Sequence, residues 1–157
     1  MRVARIVRAS LADRAMDGSG AALYGGRWNA VGAPAVYAAD SIALAALEVF
    51  VQLGTTRTTV DHVCVTCRID DAMVDRLSEQ DLPTDWRTSD GRAITAAIGT
   101  EWLKRMSNVA LLLPSSIVPD EHIVLINPRH AAANRITIER CKPFSFDART
   151  WKDEKAI

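Results

Sequence analysis

Residues 2–8 alternate basic and apolar side chains (Arg2, Val3, Arg5, Ile6), a period of two that predicts a short strand with one buried face. Ala35-Val36-Tyr37-Ala38, following Pro34, reads as a second strand. Thr59 to Ile69 reads as a third, with Val63, Val65, Cys67 and Ile69 on one side. Val109 to Leu113 predicts a buried strand, and Ile123 to Ile126 and Ile136 to Arg140 predict closing strands. Between them, helical spacing appears twice. Asp40 or Ser41 offers an oxygen to cap a helix that runs to about Leu53 and stops at Gly54. Ile42, Ala45, Ala46, Val49 and Phe50 share one face while Leu44, Leu47 and Val51 load the other, so this helix is apolar nearly all round, as buried helices are. A second helix begins after Thr88 or Ser89 and extends to about Met106, presenting Ile94, Ile98, Trp102 and Leu103.

The intervening segments break both periods. Ser10 to Asn29 is rich in glycine and small residues and reads as a long loop, of the kind that commonly binds ligands. Asp70 to Asp90 is polar and irregular, and Pro114 to Pro119 must be extended or turned because each proline removes a donor and restrains its predecessor. Trp151 to Ile157 is a polar tail. With no repeat, low-complexity tract or linker, the order predicts a single α+β domain over residues 1–157, its core at about 5–145.

Length and charge narrow the function. A chain of 157 residues is one domain long and can bury roughly 70% of its unfolded surface without a disulfide or metal staple. Nineteen basic side chains balance nineteen acidic ones, so no long-range field gathers phosphate backbones or anionic membranes. The first residues lack the apolar stretch of a signal peptide, and the longest apolar run is too short to cross a bilayer. Three cysteines, an odd number, make a poor disulfide framework. A soluble cytoplasmic protein is expected.

Candidate chemistry starts with Glu48, the acid that interrupts the apolar run Ile42 to Leu53. A carboxylate taken out of water costs several kcal/mol unless a cation or donors meet it. It serves either a structural ion pair, for instance with Arg5, or a site. Arg27, in Gly25-Gly26-Arg27-Trp28-Asn29, offers a planar five-donor fork on a backbone that a ligand can approach closely. These glycines form neither a dinucleotide fingerprint nor a phosphate loop. Cys64 and Cys67, three apart on a strand, point to opposite faces and read as small core residues. His62, His122 and His130 lack metal-ligand spacing and read as surface or locally bonded. Tyr37 alone reads as core and Ser115 alone as a turn residue.

Together these segments resemble the RES domain, named for an arginine, a glutamate and a serine. The matching text is Gly25-Gly26-Arg27-Trp28-Asn29 with Gly32, then Ala35-Val36-Tyr37, Leu44-x-x-Leu47-Glu48, Leu113-Pro114-Ser115-Ser116-Ile117-Val118-Pro119 and Leu125-Ile126-Asn127-Pro128. The resemblance implies a fold similar to ADP-ribosyltransferases, with a mixed β core and flanking helices. It also implies a toxin that destroys NAD, partnered by an Xre-like antitoxin in a hetero-oligomer, with no metal and no direct nucleic-acid contact. Carried onto matching positions, it makes Arg27, Tyr37, Glu48 and Ser115 the site, and Arg5 matches an earlier family arginine. The serine role falls to Ser115, which follows the first proline, although Ser116 adjoins it.

Nicotinamide leaves NAD as a neutral pyridine, so the two carboxyl groups of an ordinary glycosidase reduce to one. On this reading Glu48 steadies the oxocarbenium charge, Arg27 and Arg5 hold the pyrophosphate, Tyr37 stacks on nicotinamide or ribose, and Ser115 orients a polar group. Water, inorganic phosphate or a protein side chain could each accept the ADP-ribosyl group. The last makes a protein ADP-ribosyltransferase. A non-catalytic nucleic-acid or protein-binding module, with Arg27 and Trp28 as its recognition patch, is the remaining alternative.

Overall fold

Each alternating segment can bury a face only against a neighbour, and pairing edge to edge produces one mixed seven-stranded sheet. The computed structural model describes residues 1–54 and 60–151; Thr59 of the third expected strand and the tail beyond Trp151 lie outside these. The strands are β1 (Arg2–Arg8), β2 (Val36–Ala39), β3 (His62–Arg68), β4 (Val74–Arg76), β5 (Ala110–Pro114), β6 (His122–Ile126) and β7 (Thr137–Phe144). They lie in the order β4-β5-β6-β2-β1-β3-β7. Among the described strands, only β4 and β5 pair in parallel. Helices α1 (Ser19–Tyr24), α2 (Ile42–Leu53) and α3 (Arg92–Arg105) complete an α+β fold. No described helix is long and apolar enough to cross a membrane.

Pleating divides the core into two layers. Val3 and Val7 join one cluster with Val36, Ala38, Val65 and Ile126, whereas Ala4 and Ile6 join the other with Trp28, Leu44, Ala45 and Leu103. The two long helices therefore cover the same face. Cys64 and Cys67 are split between the layers as their spacing requires, both buried and free, and burial pushes the Cys67 thiol up to about 11.

Several elements depart from the expected pattern for identifiable reasons. The loop Ser10 to Asn29 contains a 3-10 turn (Ala9–Arg14) and the six-residue α1, both too short to leave a period in the sequence. The irregular stretch Asp70 to Asp90 hides β4, three residues ordered by pairing with β5. Helix α2 lies on the sheet surface: Leu44 and Ala45 are buried, but Ile42 and Val51 are 50% and 54% exposed. Helix α3 turns Thr95, Gly99 and Leu103 inward and leaves Ile94 exposed. Size selects that face, because a Cβ at position 99 would overlap the Trp28 carbonyl oxygen. His62 is buried, edge-on to Phe146, rather than on the surface.

Candidate functional site

The sheet is two halves joined by a narrow seam. β1 follows β3 from Arg2↔Arg68 to Arg8↔His62, and β2 follows β6 from Val36↔Ile126 to Ala39↔Ile123, yet β1 meets β2 only at Ala4↔Ala39. Past that point a side chain replaces the ladder: Arg5 Nη1 donates to the Tyr37 carbonyl at 2.6 Å. Arg5 Nε is buried without a partner, and burial lowers the guanidinium pKa against the opposing pull of Asp17 and Cys67. By alternation the Arg5 side chain shares the face of Val3 and Val7, while the Tyr37 ring packs on the helix-covered face.

On that face, Tyr37 anchors the glycine-rich turn. Its Oη donates to Asn29 Oδ1 at 2.7 Å and accepts from the Trp28 N–H at 2.9 Å. Asn29 Nδ2 donates in turn to the carbonyls of Ala21, Ala30 and Ala33. Gly26 must be glycine here, because a Cβ would stand 2.5 Å from the Tyr37 hydroxyl. Successive side chains then diverge. Trp28 turns inward, fully buried against Trp86 with ring centroids 5.9 Å apart, which removes it from any recognition patch. Arg27 turns the other way, and its terminal nitrogens donate to the carbonyls of Trp86 (2.8 Å), Arg87 (3.3 Å) and Thr88 (3.4 Å).

Glu48 sits half-buried on α2 and makes no hydrogen bond or ion pair among the described residues. Burial raises its pKa, and the charge of Arg27 pulls it back. Arg27 is lowered by burial and then by Arg92, with Glu48 and Tyr37 opposing. Tyr37 is raised far above its usual value, again by burial first. Arg27, Tyr37, Glu48 and Arg92 therefore share one electrostatic environment, with the acid and Arg27 close enough to feel each other but not touching.

Ser115 follows Leu111 and Leu113 on the helix-covered side of β5 and is buried. Its Oγ accepts from the N–H groups of Ile117 and Val118, both at 3.1 Å, so it caps its own turn as a local serine does. Ser116 is half-exposed and makes no side-chain hydrogen bond among the described residues. The structure thus unites Arg27, Tyr37 and Glu48, sets Ser115 at a strand end on their face, and brings Arg5 in through the Tyr37 carbonyl from the other.

The model of the RES domain family matches residues 2–148. The chain belongs to that family. A protein called Toxin Res from Yersinia enterocolitica is 39% identical over 146 residues, covering 93% of this chain and 95% of that one. The Prs ADP-ribosylating toxin of a Sphingobium species is 34% identical over 151 residues, covering 94% and 93%. A chain in the crystal structure of the M. tuberculosis MbcT–MbcA toxin–antitoxin complex superposes with a TM-score of 0.74 at 22% identity, covering 92% of this chain and 84% of that one.

Two residues of this RES domain escaped sequence reading. Asn29, which fixes the turn through four hydrogen bonds, carries no chemical signal beyond being a common turn residue. Arg92 lies in a polar stretch where another cation provides no contrast, and only folding brings it beside Arg27 and Tyr37. Among the described residues, no three His, Cys, Asp or Glu side chains converge as metal ligands would.

Proposed function

We propose that this RES domain is the toxin of a toxin–antitoxin pair and that it cleaves the nicotinamide–ribose bond of NAD in the cytoplasm. The observation that carries the reading is the Glu48 carboxylate, partly withdrawn from water, unpaired among the described residues, and within the field of Arg27. A structural ion pair would have closed the distance between them. An acid held ready beside a cation, with Tyr37 in the same electrostatic environment, instead suits a ligand that is cationic at its ribose in the transition state and anionic at its phosphates. Glu48 hydrogen-bonds the ribose and stabilises the oxocarbenium charge as nicotinamide departs. Tyr37 forms a wall of the nicotinamide–ribose subsite, and the Ser115 hydroxyl, whose proton is still free to donate, orients a polar group of the substrate.

Water or inorganic phosphate accepts the ADP-ribosyl group. Transfer to a protein side chain is the second reading, favoured by the Sphingobium relative and its name. The superposition on a toxin–antitoxin complex supports an antitoxin partner, which on this reading is Xre-like and forms a hetero-oligomer with the toxin. Nicotinamide release from NAD, measured with and without added phosphate, tests the activity and separates the acceptors. Phosphate-stimulated release indicates phosphorolysis, unstimulated release hydrolysis, and release only with a protein acceptor indicates transfer. Glu48→Gln should lower the rate by about 10²–10³-fold, the scale of removing one preorganised electrostatic group. Retained turnover removes Glu48 from the chemistry.

A further inference from the structure

We infer that Arg92 is the side chain that grips the diphosphate of the dinucleotide, an inference that rests on NAD, or another nucleoside diphosphate, being the ligand of this site. Three arginines bear on this site, and two already have work. Arg27 spends its terminal nitrogens on the carbonyls of residues 86–88. Arg5 donates to the Tyr37 carbonyl and keeps its side chain on the far face of the sheet. Arg92 is exposed, and its guanidinium makes no hydrogen bond or ion pair among the described residues.

Its place is set by backbone contacts. Gly91 is buried against the chain at Asp85 and Trp86, where a Cβ would come within 2.5 Å of the Asp85 carbonyl and 2.6 Å of Trp86 Cα. The Trp86 carbonyl is the very acceptor that holds Arg27. Further along α3, Gly99 abuts Trp28, and Thr100 Oγ1 accepts the Ala30 N–H at 2.8 Å. Helix α3 is therefore docked at two points along the glycine-rich turn and at a third on the Asp85–Trp86 segment that also binds Arg27, which holds its first residue near Arg27. Of the charges acting on Arg27, and of those acting on Tyr37, that of Arg92 is felt more strongly than that of Glu48. Two guanidiniums that repel each other, with Glu48 touching neither among the described residues, form a site for an anion of more than one charge. A diphosphate meets that requirement, with the free fork of Arg92 supplying direct hydrogen bonds and Arg27 supplying field and loop geometry.

Equilibrium binding of ADP-ribose, inorganic pyrophosphate and nicotinamide to the wild type, Arg92→Ala and Arg92→Lys tests this without requiring turnover. Arg92→Ala should weaken ADP-ribose and pyrophosphate about tenfold or more, the loss of a charge-assisted contact, with nicotinamide affinity held and Arg92→Lys intermediate. In steady state, the KM for NAD should rise more than kcat falls, as expected when the lost contact is shared by ground and transition states. Unfolding temperature should not fall, because the side chain makes no bond in the free protein and its charge repels that of Arg27. Equal affinity for ADP-ribose in wild type and Arg92→Ala overturns the inference, as does a wild type that binds neither ADP-ribose nor pyrophosphate. Arg92-dependent binding of ADP-ribose without nicotinamide release from NAD would instead remove the cleavage reading and leave Arg92 in place.

Discussion

At Glu48 the proposed function and stability pull in opposite directions. Burial raises the carboxyl pKa above its ordinary 4.5, and the attraction of Arg27 only partly reverses this. A group that holds its proton more tightly folded than unfolded lends stability below the unfolded pKa and loses it as pH rises through the folded value. At neutral pH the ionised acid is therefore a burden. Glu48→Gln, while losing turnover, should melt higher than the wild type at pH 7, by about 2 °C once solvent screening of a half-buried group is discounted. The gain should vanish near pH 4, where Glu48 is itself largely protonated. Thermal melts at the two pH values check this, and a wild type that melts higher at pH 7 would mean that Arg27 outweighs burial. Such an isolated charge is what a sequence displays best, because it breaks an apolar run. Arg27 stood out for the opposite reason, as the one large cation among glycines. Arg92 occupies polar surroundings that hide it, Asn29 looks like any turn residue, and nothing in a chain of letters told Trp28 inward from Arg27 outward.

The elements were legible where local chemistry decides them and obscure where tertiary contact does. Ser41 caps α2 by accepting the Leu44 N–H at 3.0 Å, and Gly54 ends it with φ at 63°, both as expected of those residues. Of the positions whose apolar spacing marked the inner side of α3, Leu103 is buried and Ile98 and Trp102 pack against the core, whereas Ile94 is exposed and the tightest contact is made by Gly99. Strand β4 needs β5 to exist at all, and Asp75 within it ties the end of α3 to the sheet by accepting from Trp102 Nε1, Ser107 Oγ and Asn108 Nδ2. Gly99→Ala puts the docking of α3 to the test. In an isolated helix this change is favourable by about 1 kcal/mol. Here the added methyl meets the Trp28 backbone, and overpacking of that kind costs about 1–3 kcal/mol. The variant should lose stability in denaturant titration, and also NAD affinity, because α3 carries Arg92 and supports the turn that presents Arg27. A stabilised Gly99→Ala protein would show that α3 can shift away from the turn freely.

For the molecule as a whole, strand order could not be read from one chain, since pairing partners lie far apart in sequence. The seam between β1 and β2 is likewise a product of topology: a single register pair joins two well-laddered halves, and Arg5 bridges them through the Tyr37 carbonyl. Charge is the whole-molecule property that sequence does state outright. With nineteen cations against nineteen anions, few counterions are released when the protein meets a nucleic acid, and the affinity that phosphate contacts supply is small. The structure removes the other source of such affinity at the glycine-rich turn, because Trp28 is sealed in the core and offers no base a stacking surface. Arg27 is tied to backbone carbonyls rather than displayed. Fluorescence anisotropy with labelled single-stranded RNA and duplex DNA should therefore detect no binding at about 0.15 M salt with micromolar protein, and only weak, steeply salt-dependent binding when salt is lowered. Saturable binding that persists at that salt would revive the nucleic-acid module. It would also require a basic surface assembled away from Arg27 and Trp28.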